Sequence, residues 1–167
     1  LNYNRLLAII LMTLGIISYI LTITKPNLYK SLLIPHSSFL ILIALYLTLS
    51  IALRGYIAGH FPLSNGFETM QFLALIASLI PLFCKSTEYR VQSTDKSSHT
   101  TSNSSFLIPH SSLICGVALM VATMSELNPR ITLLMPVLQS PLLSIHVMVI
   151  MISYALFALL ALNSIIY

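Results

Sequence analysis

The chain alternates between long apolar runs and short polar breaks. Residues 6–24 read LLAIILMTLGIISYILTIT and carry no charge. A helix of that length rises about 28 Å, close to the thickness of a bilayer's hydrocarbon core. A second run covers 39–53 and extends back through Leu32, Leu33 and Ile34. The third covers 67–84, with Glu68 and Gln71 near its start, the fourth 106–124, and the fifth 142–162. The pattern predicts helices at about 6–24, 33–54, 67–84, 106–124 and 141–165. Thr24, Lys25, Pro26 and Asn27 read as a helix stop and turn. The first run is too long for a signal-peptide core and no A-x-A site follows it. The expected fold is all-α, a polytopic membrane protein of about five transmembrane helices in one membrane domain, with a short amphipathic segment near 131–139.

Composition agrees with the pattern. Of 167 residues, 57% are hydrophobic and 7% charged, where soluble domains carry about 25% charged. Such a chain cannot solvate a globular surface, and it is far too apolar to be disordered. The net charge of +4 comes without a cluster of basic and aromatic side chains, so it points away from nucleic acid. It points to the lysines and arginines that orient helices among membrane lipid. Alternating helices place Lys25, Lys30, Lys85, Arg90 and Lys96 on one side, and Arg5, Arg54 and Arg130 on the other. The richer side should be cytoplasmic, which leaves the N-terminus outside. Residues 85–105, polar and rich in Ser and Thr, read as a solvated cytoplasmic loop.

Candidate chemistry is sparse. No nucleophile elbow, phosphate loop, zinc helix or paired-carboxylate motif occurs, and Cys84 and Cys115 lack metal-type spacing. LIPHSS occurs at 33–38 and again at 107–112. It reads either as a repeated helix-entry segment, with Pro in the first turn and Ser near a cap, or as a facing pair, His36 and His110, for heme or metal. The simple repeat favours the first reading. The densest polar segment, RGYIAGHFPLSNGFE at 54–68, joins the second and third helices. Gly55, Gly59 and Pro62 should break the second helix. Asn65 should cap the third with Glu68 as capping-box partner, and Arg54 is placed to pair with Glu68 across the turn.

The stretch R-x4-GHFPLSN-x-F-E strongly resembles the CcsA/ResC family of cytochrome c biogenesis proteins, the heme-handling subunits of the system II cytochrome c synthase. A second match follows in LMPVLQSPLLSIHV at 134–147 and ISYA at 152–155, where the family typically reads P-x-LQS-x-x-L-x-x-HV and then SYA. The resemblance covers roughly residues 39–160. It implies a component that moves heme b outward across a bacterial cytoplasmic membrane and presents it to apocytochrome c, beside a CcsB/ResB-like subunit. The first of the family's two outer heme-ligating histidines maps onto His146. The family's tryptophan-rich WWD segment has no counterpart, because the chain holds no Trp; that segment and the second outer histidine are expected beyond residue 167. The chain thus reads as truncated relative to the family, and as a non-catalytic part of a heme lyase assembly.

The local sequence supports the His146 assignment. Ser140 and Pro141 make an N-cap and first-turn pair, which sets His146 in the second turn, about 8 Å along the helix. Leu142, Leu143, Val149, Ile150 and Ser153 share its face, so partial burial is expected. Neutral imidazole is the form that binds heme iron. His60 is a candidate for the heme path and Arg54 for a heme propionate, although pairing with Glu68 is Arg54's plainer use. The alternative reading is a generic helical subunit of a transporter or respiratory complex, or a gene fragment without function.

Overall fold

The computed structural model describes residues 3–24, 26–94, 104–124 and 140–166. Within them the chain forms five helices: α1 (Tyr3–Thr24), α2 (Pro26–Ala58), α3 (Gly66–Thr94), α4 (Ser104–Met124) and α5 (Pro141–Ile166). Three contain apolar spans long enough to cross a membrane: Ile34–Ala58, Gly66–Cys84 and Leu142–Ser164. Arg5–Leu21 and Leu107–Thr123 are shorter apolar helical stretches. The chain is an all-α integral membrane protein. The amphipathic segment expected near 131–139 lies outside the described residues.

Two boundaries differ from the sequence pattern. Pro26 does not end a helix but opens α2, because proline lacks an N–H that the first helical position leaves unused anyway. And α3 continues to Thr94, so residues 85–94, expected in the loop, are helical. Glu, Tyr, Arg, Val and Gln at 88–92 are acceptable helix residues; their polarity ends the apolar run without ending the helix. Residues 95–103 of that expected loop lie outside the described residues.

α3 and α4 form the middle of the bundle. α1 packs on α4 and α2, α2 also on α3 and α4, and α5 on α3 and α4. The α1–α4 seam is the closest. A Cβ on Gly116 would stand 2.9 Å from the Met12 backbone nitrogen, and one on Gly15 3.0 Å from Leu113 Cγ. Small residues let helix backbones approach where lipid offers no hydrophobic driving force. The seam is tied by Ser112 Oγ donating to the Leu11 carbonyl at 3.1 Å and Arg5 Nη2 to the Thr123 carbonyl at 3.1 Å. The core is filled by stripes at helical spacing, such as Leu40, Ile43 and Leu47 on α2 and Ile114, Cys115, Ala118 and Leu119 on α4.

The LIPHSS segments do not start their helices. Pro35 and Pro109 both lie inside them, a placement membrane helices tolerate when neighbours support the freed backbone. The two copies share one local bond: Ser37 Oγ donates to Ile34 O at 2.9 Å and Ser111 Oγ to Ile108 O at 2.8 Å. Both histidines are 1% exposed. They meet consecutive residues of α1: His36 Nδ1 lies 2.9 Å from Ser18 Oγ, and the His110 ring stands edge-on to Tyr19 with centroids 5.7 Å apart. The repeat is therefore a buried seat for α1.

Candidate functional site

The turn between α2 and α3 is built from its own polar groups. α2 runs through Gly55 and ends at Ala58, just before Gly59, whose φ of 69° is the left-handed conformation that closes helices. Gly59 N–H donates to Gly55 O at 3.0 Å. The chain then folds back so closely that a Cβ on Gly55 would stand 3.2 Å from Pro62 Cδ. Leu63 N–H donates to Phe61 O at 2.9 Å, a tight turn about Pro62. Pro62, Leu63 and Phe67 are buried, so the apolar half of the heptapeptide anchors the turn.

Asn65 caps α3 as expected, its Oδ1 accepting from Glu68 N–H at 2.9 Å. The return bond goes one residue further back than a standard capping box. Glu68 Oε2 accepts from Ser64 N–H at 3.0 Å and from Ser64 Oγ at 2.9 Å. Its other oxygen, Oε1, faces Arg54 Nε at 3.4 Å. The Arg54 guanidinium also lies over the Phe67 ring, 4.9 Å from its centroid, a cation–π arrangement. The Glu68 side chain is 1% exposed and that of Arg54 17%. A carboxylate so buried needs its lone pairs filled, and Ser64 and Arg54 fill them. The pairing expected from sequence is therefore present. Ser64 and Phe67 join the pair as members that spacing alone does not mark: both flank the cap, but their partners depend on the fold of the turn.

His60 follows the closing glycine and is half-exposed, with Nδ1 3.1 Å from Phe61 O. A carbonyl only accepts, so Nδ1 is the donor in this contact, and in the neutral ring the lone pair lies on Nε2. That is the form in which imidazole binds a metal.

His146 is arranged differently. α5 begins after Ser140, with Leu143 N–H donating to Ser140 O at 3.1 Å, as the cap reading predicted. His146 occupies the second turn but is exposed, as are Leu142, Ile145 and Val149; the expected partial burial is not found. The reason is packing: α5 touches α3 and α4 but not α2 among the described residues. The structure thus unites Arg54, Ser64, Asn65, Phe67 and Glu68, keeps His60 in the same turn, and holds His146 apart on an open helix face. A groove of about 490 Å³ between α1 and α2, lined by Leu6, Phe39, Leu42 and Tyr46 among others, is almost wholly apolar and lacks cationic groups for carboxylates. Among the described residues no group of three or more metal-ligating side chains occurs.

Comparison with known proteins agrees with these motifs. Residues 63–167 match the family model described as cytochrome c assembly protein. The chain is 37% identical over 117 residues to protein NrfI of Wolinella succinogenes, covering 70% of this chain and 11% of the relative. It is 35% identical over 133 residues to the cytochrome c biogenesis protein CcsA of Cyanophora paradoxa, covering 78% of this chain and 34% of the relative. It is 33% identical over 145 residues to CcsA of Prochlorococcus marinus, strain MIT 9301, covering 84% and 43%. The chain spans less than half the length of each of these relatives. With 105 matched positions that include both the α2–α3 turn from Leu63 onward and the His146 helix, the chain belongs to the cytochrome c assembly protein family.

Proposed function

We propose that this chain is a heme-handling component of cytochrome c maturation, which presents heme b at the outer face of a bacterial cytoplasmic membrane to apocytochrome c. His146 supplies one axial ligand to the heme iron. The observation that carries this reading is the placement of His146: an imidazole within a membrane span, one turn in from a helix end, exposed and without a hydrogen-bond partner among the described residues. Ionisable groups at such positions are expensive and mark ligand or ion pathways. The depth of about 8 Å suits an amphiphile whose ring lies among acyl chains while its propionates reach the headgroups.

The α2–α3 turn takes the supporting role. His60, half-exposed in the same turn, lies on the cargo's path. Arg54, held by Glu68 and Phe67 in the same turn, is the candidate contact for a propionate. Orientation follows the lysines and arginines: the N-terminus and this turn outside, the end of α3 inside. A CcsB/ResB-like subunit is the expected partner.

The test is the absorption spectrum of the protein assembled in its native membrane and purified in detergent. His146→Ala should lower bound heme severalfold, and added imidazole should restore part of it by filling the vacated position. Leu143→Ala, a change on the same turn that removes no ligand, should retain heme. Normal heme in His146→Ala, or equal losses in both variants with no imidazole rescue, would make His146 a packing residue.

A further inference from the structure

The exposed apolar side chains of α2 form a single stripe. Leu42, Leu45, Leu49, Leu53, Tyr56 and Ile57 are each more than half exposed, and steps of three and four residues keep them on one face of the helix. The stripe lies within the apolar span Ile34–Ala58. The 25 residues of that span rise about 37 Å, more than the roughly 30 Å of a hydrocarbon core, so the end of the stripe reaches the headgroups. Its chemistry changes there: leucines give way to Tyr56, which is 88% exposed, and to Ile57.

The fold of the turn brings a third large side chain to the same level. A Cβ on Gly55 would stand 3.2 Å from Pro62 Cδ and 3.6 Å from His60 O, so Phe61, the residue between them, comes back beside the last turn of α2. Phe61 is exposed, whereas Pro62, Leu63 and Phe67 are buried. The apolar residues of the turn are thus divided, one set directed into the bundle and the other away from it. Arg54 and Glu68, the charged residues of the segment, face each other, so neither interrupts the outward patch.

We propose that Tyr56, Ile57 and Phe61 dock on lipid, as an interfacial anchor that seats the α2–α3 turn among the headgroups. The patch continues the exposed stripe of a membrane span, and it ends in the residue types that favour the membrane–water interface, where a ring meets acyl chains and a polar edge meets water. The chain holds no Trp, so that role falls to Tyr and Phe. Left in water, the same patch would be an aggregation liability. The anchor fixes the depth of the turn, and with it the depth at which Arg54 and His60 stand. It goes beyond the heme reading and holds whichever ligand the turn meets.

The test is depth-resolved fluorescence of single tryptophans, each unique in this 167-residue chain. Tyr56→Trp, Phe61→Trp and, in mid-span, Leu45→Trp are reconstituted into vesicles of phosphatidylethanolamine and phosphatidylglycerol. The lipids carry bromines near the headgroup, near the chain ends or not at all. Emission is compared between vesicles that differ only in bromine position, so any bound heme affects all three alike. At 56 and 61, bromines near the headgroup should remove about half of the emission and about twice as much as chain-end bromines, with the order reversed at 45. In the Phe61→Trp protein, Tyr56→Ser and Ile57→Ser together should lower headgroup-bromine quenching about twofold and raise quenching by aqueous acrylamide. Emission at 56 and 61 that responds to acrylamide and to neither brominated lipid would place the turn in water. Emission that responds to no quencher would mean that a protein segment covers the patch, and stronger quenching by chain-end bromines would place the turn within the hydrocarbon. Each of these overturns the anchor, as does quenching at 61 that the two serines leave unchanged.

Discussion

Glu68 and His146 are both ionisable side chains near the start of a membrane helix, and their surroundings differ sharply. Glu68 is enclosed: Ser64 and Arg54 occupy its two oxygens, Asn65 caps its helix, and Phe67 backs the arginine. His146 stands on the exposed side of a helix with neighbours on one flank only. The turn is closed by its own residues, whereas the helix face carrying His146 is left open by the described residues. Two motifs of one family can thus have different physical status. One specifies a local structure closed by its own residues, and the other sets its histidine on an open helix face.

The largest effect expected from this contrast is at Glu68. Replacing it with alanine leaves the half-buried Arg54 without its counter-charge and Ser64 without its acceptor. Breaking a buried pair from one side costs about 3–5 kcal/mol, and partial exposure of Arg54 sets this case at about 3. In a detergent unfolding titration Glu68→Ala should lose that much, and the double variant Glu68→Ala, Arg54→Met should recover part of it. A loss no larger in Glu68→Ala than in the double variant would show that the turn is held by its apolar residues and that the ion pair is incidental.

Next comes Gly59. A Cβ there meets nothing within 4 Å, so the cost of Gly59→Ala is conformational alone, about 1–2 kcal/mol for a left-handed residue with a side chain. Gly59→Asn should cost less, because asparagine tolerates that conformation. Equal losses for the two variants would show that the backbone leaves the left-handed region when the residue changes.

How far these features were legible in sequence depended on how local they were. The apolar runs, the cap at Asn65 and the Arg54–Glu68 pair follow from spacing within one helix or across one short turn. The extension of α3 to Thr94 was hidden because hydropathy marks where a membrane core ends, and a helix can continue into water on backbone hydrogen bonds alone. Pro35 and Pro109 read as helix starts because proline favours the first turn; neighbouring helices allow them inside. That the LIPHSS histidines seat α1 required the long-range contacts with Ser18 and Tyr19. The exposure of His146 was not legible either, since its apolar neighbours look alike whether they face protein or lipid.

The smallest effect expected is on the folding of His146 variants, and it is the sharpest check of the comparison. An exposed side chain with no partner among the described residues contributes little to the stability of this chain, so His146→Ala should shift its unfolding free energy by less than about 0.5 kcal/mol. The same substitution made in the protein assembled in its native membrane tests the proposed role directly. If His146 holds heme iron as proposed, its loss should register there as reduced heme retention. The measurement is the stability of the 167-residue chain in detergent, set beside heme content in native membranes. Neutrality in the first with loss in the second places the role of His146 in contacts made outside this chain. A loss of 2 kcal/mol or more in the isolated chain, on the scale of a buried residue, would mean that α5 packs its histidine inward and that the open face is not the one that functions.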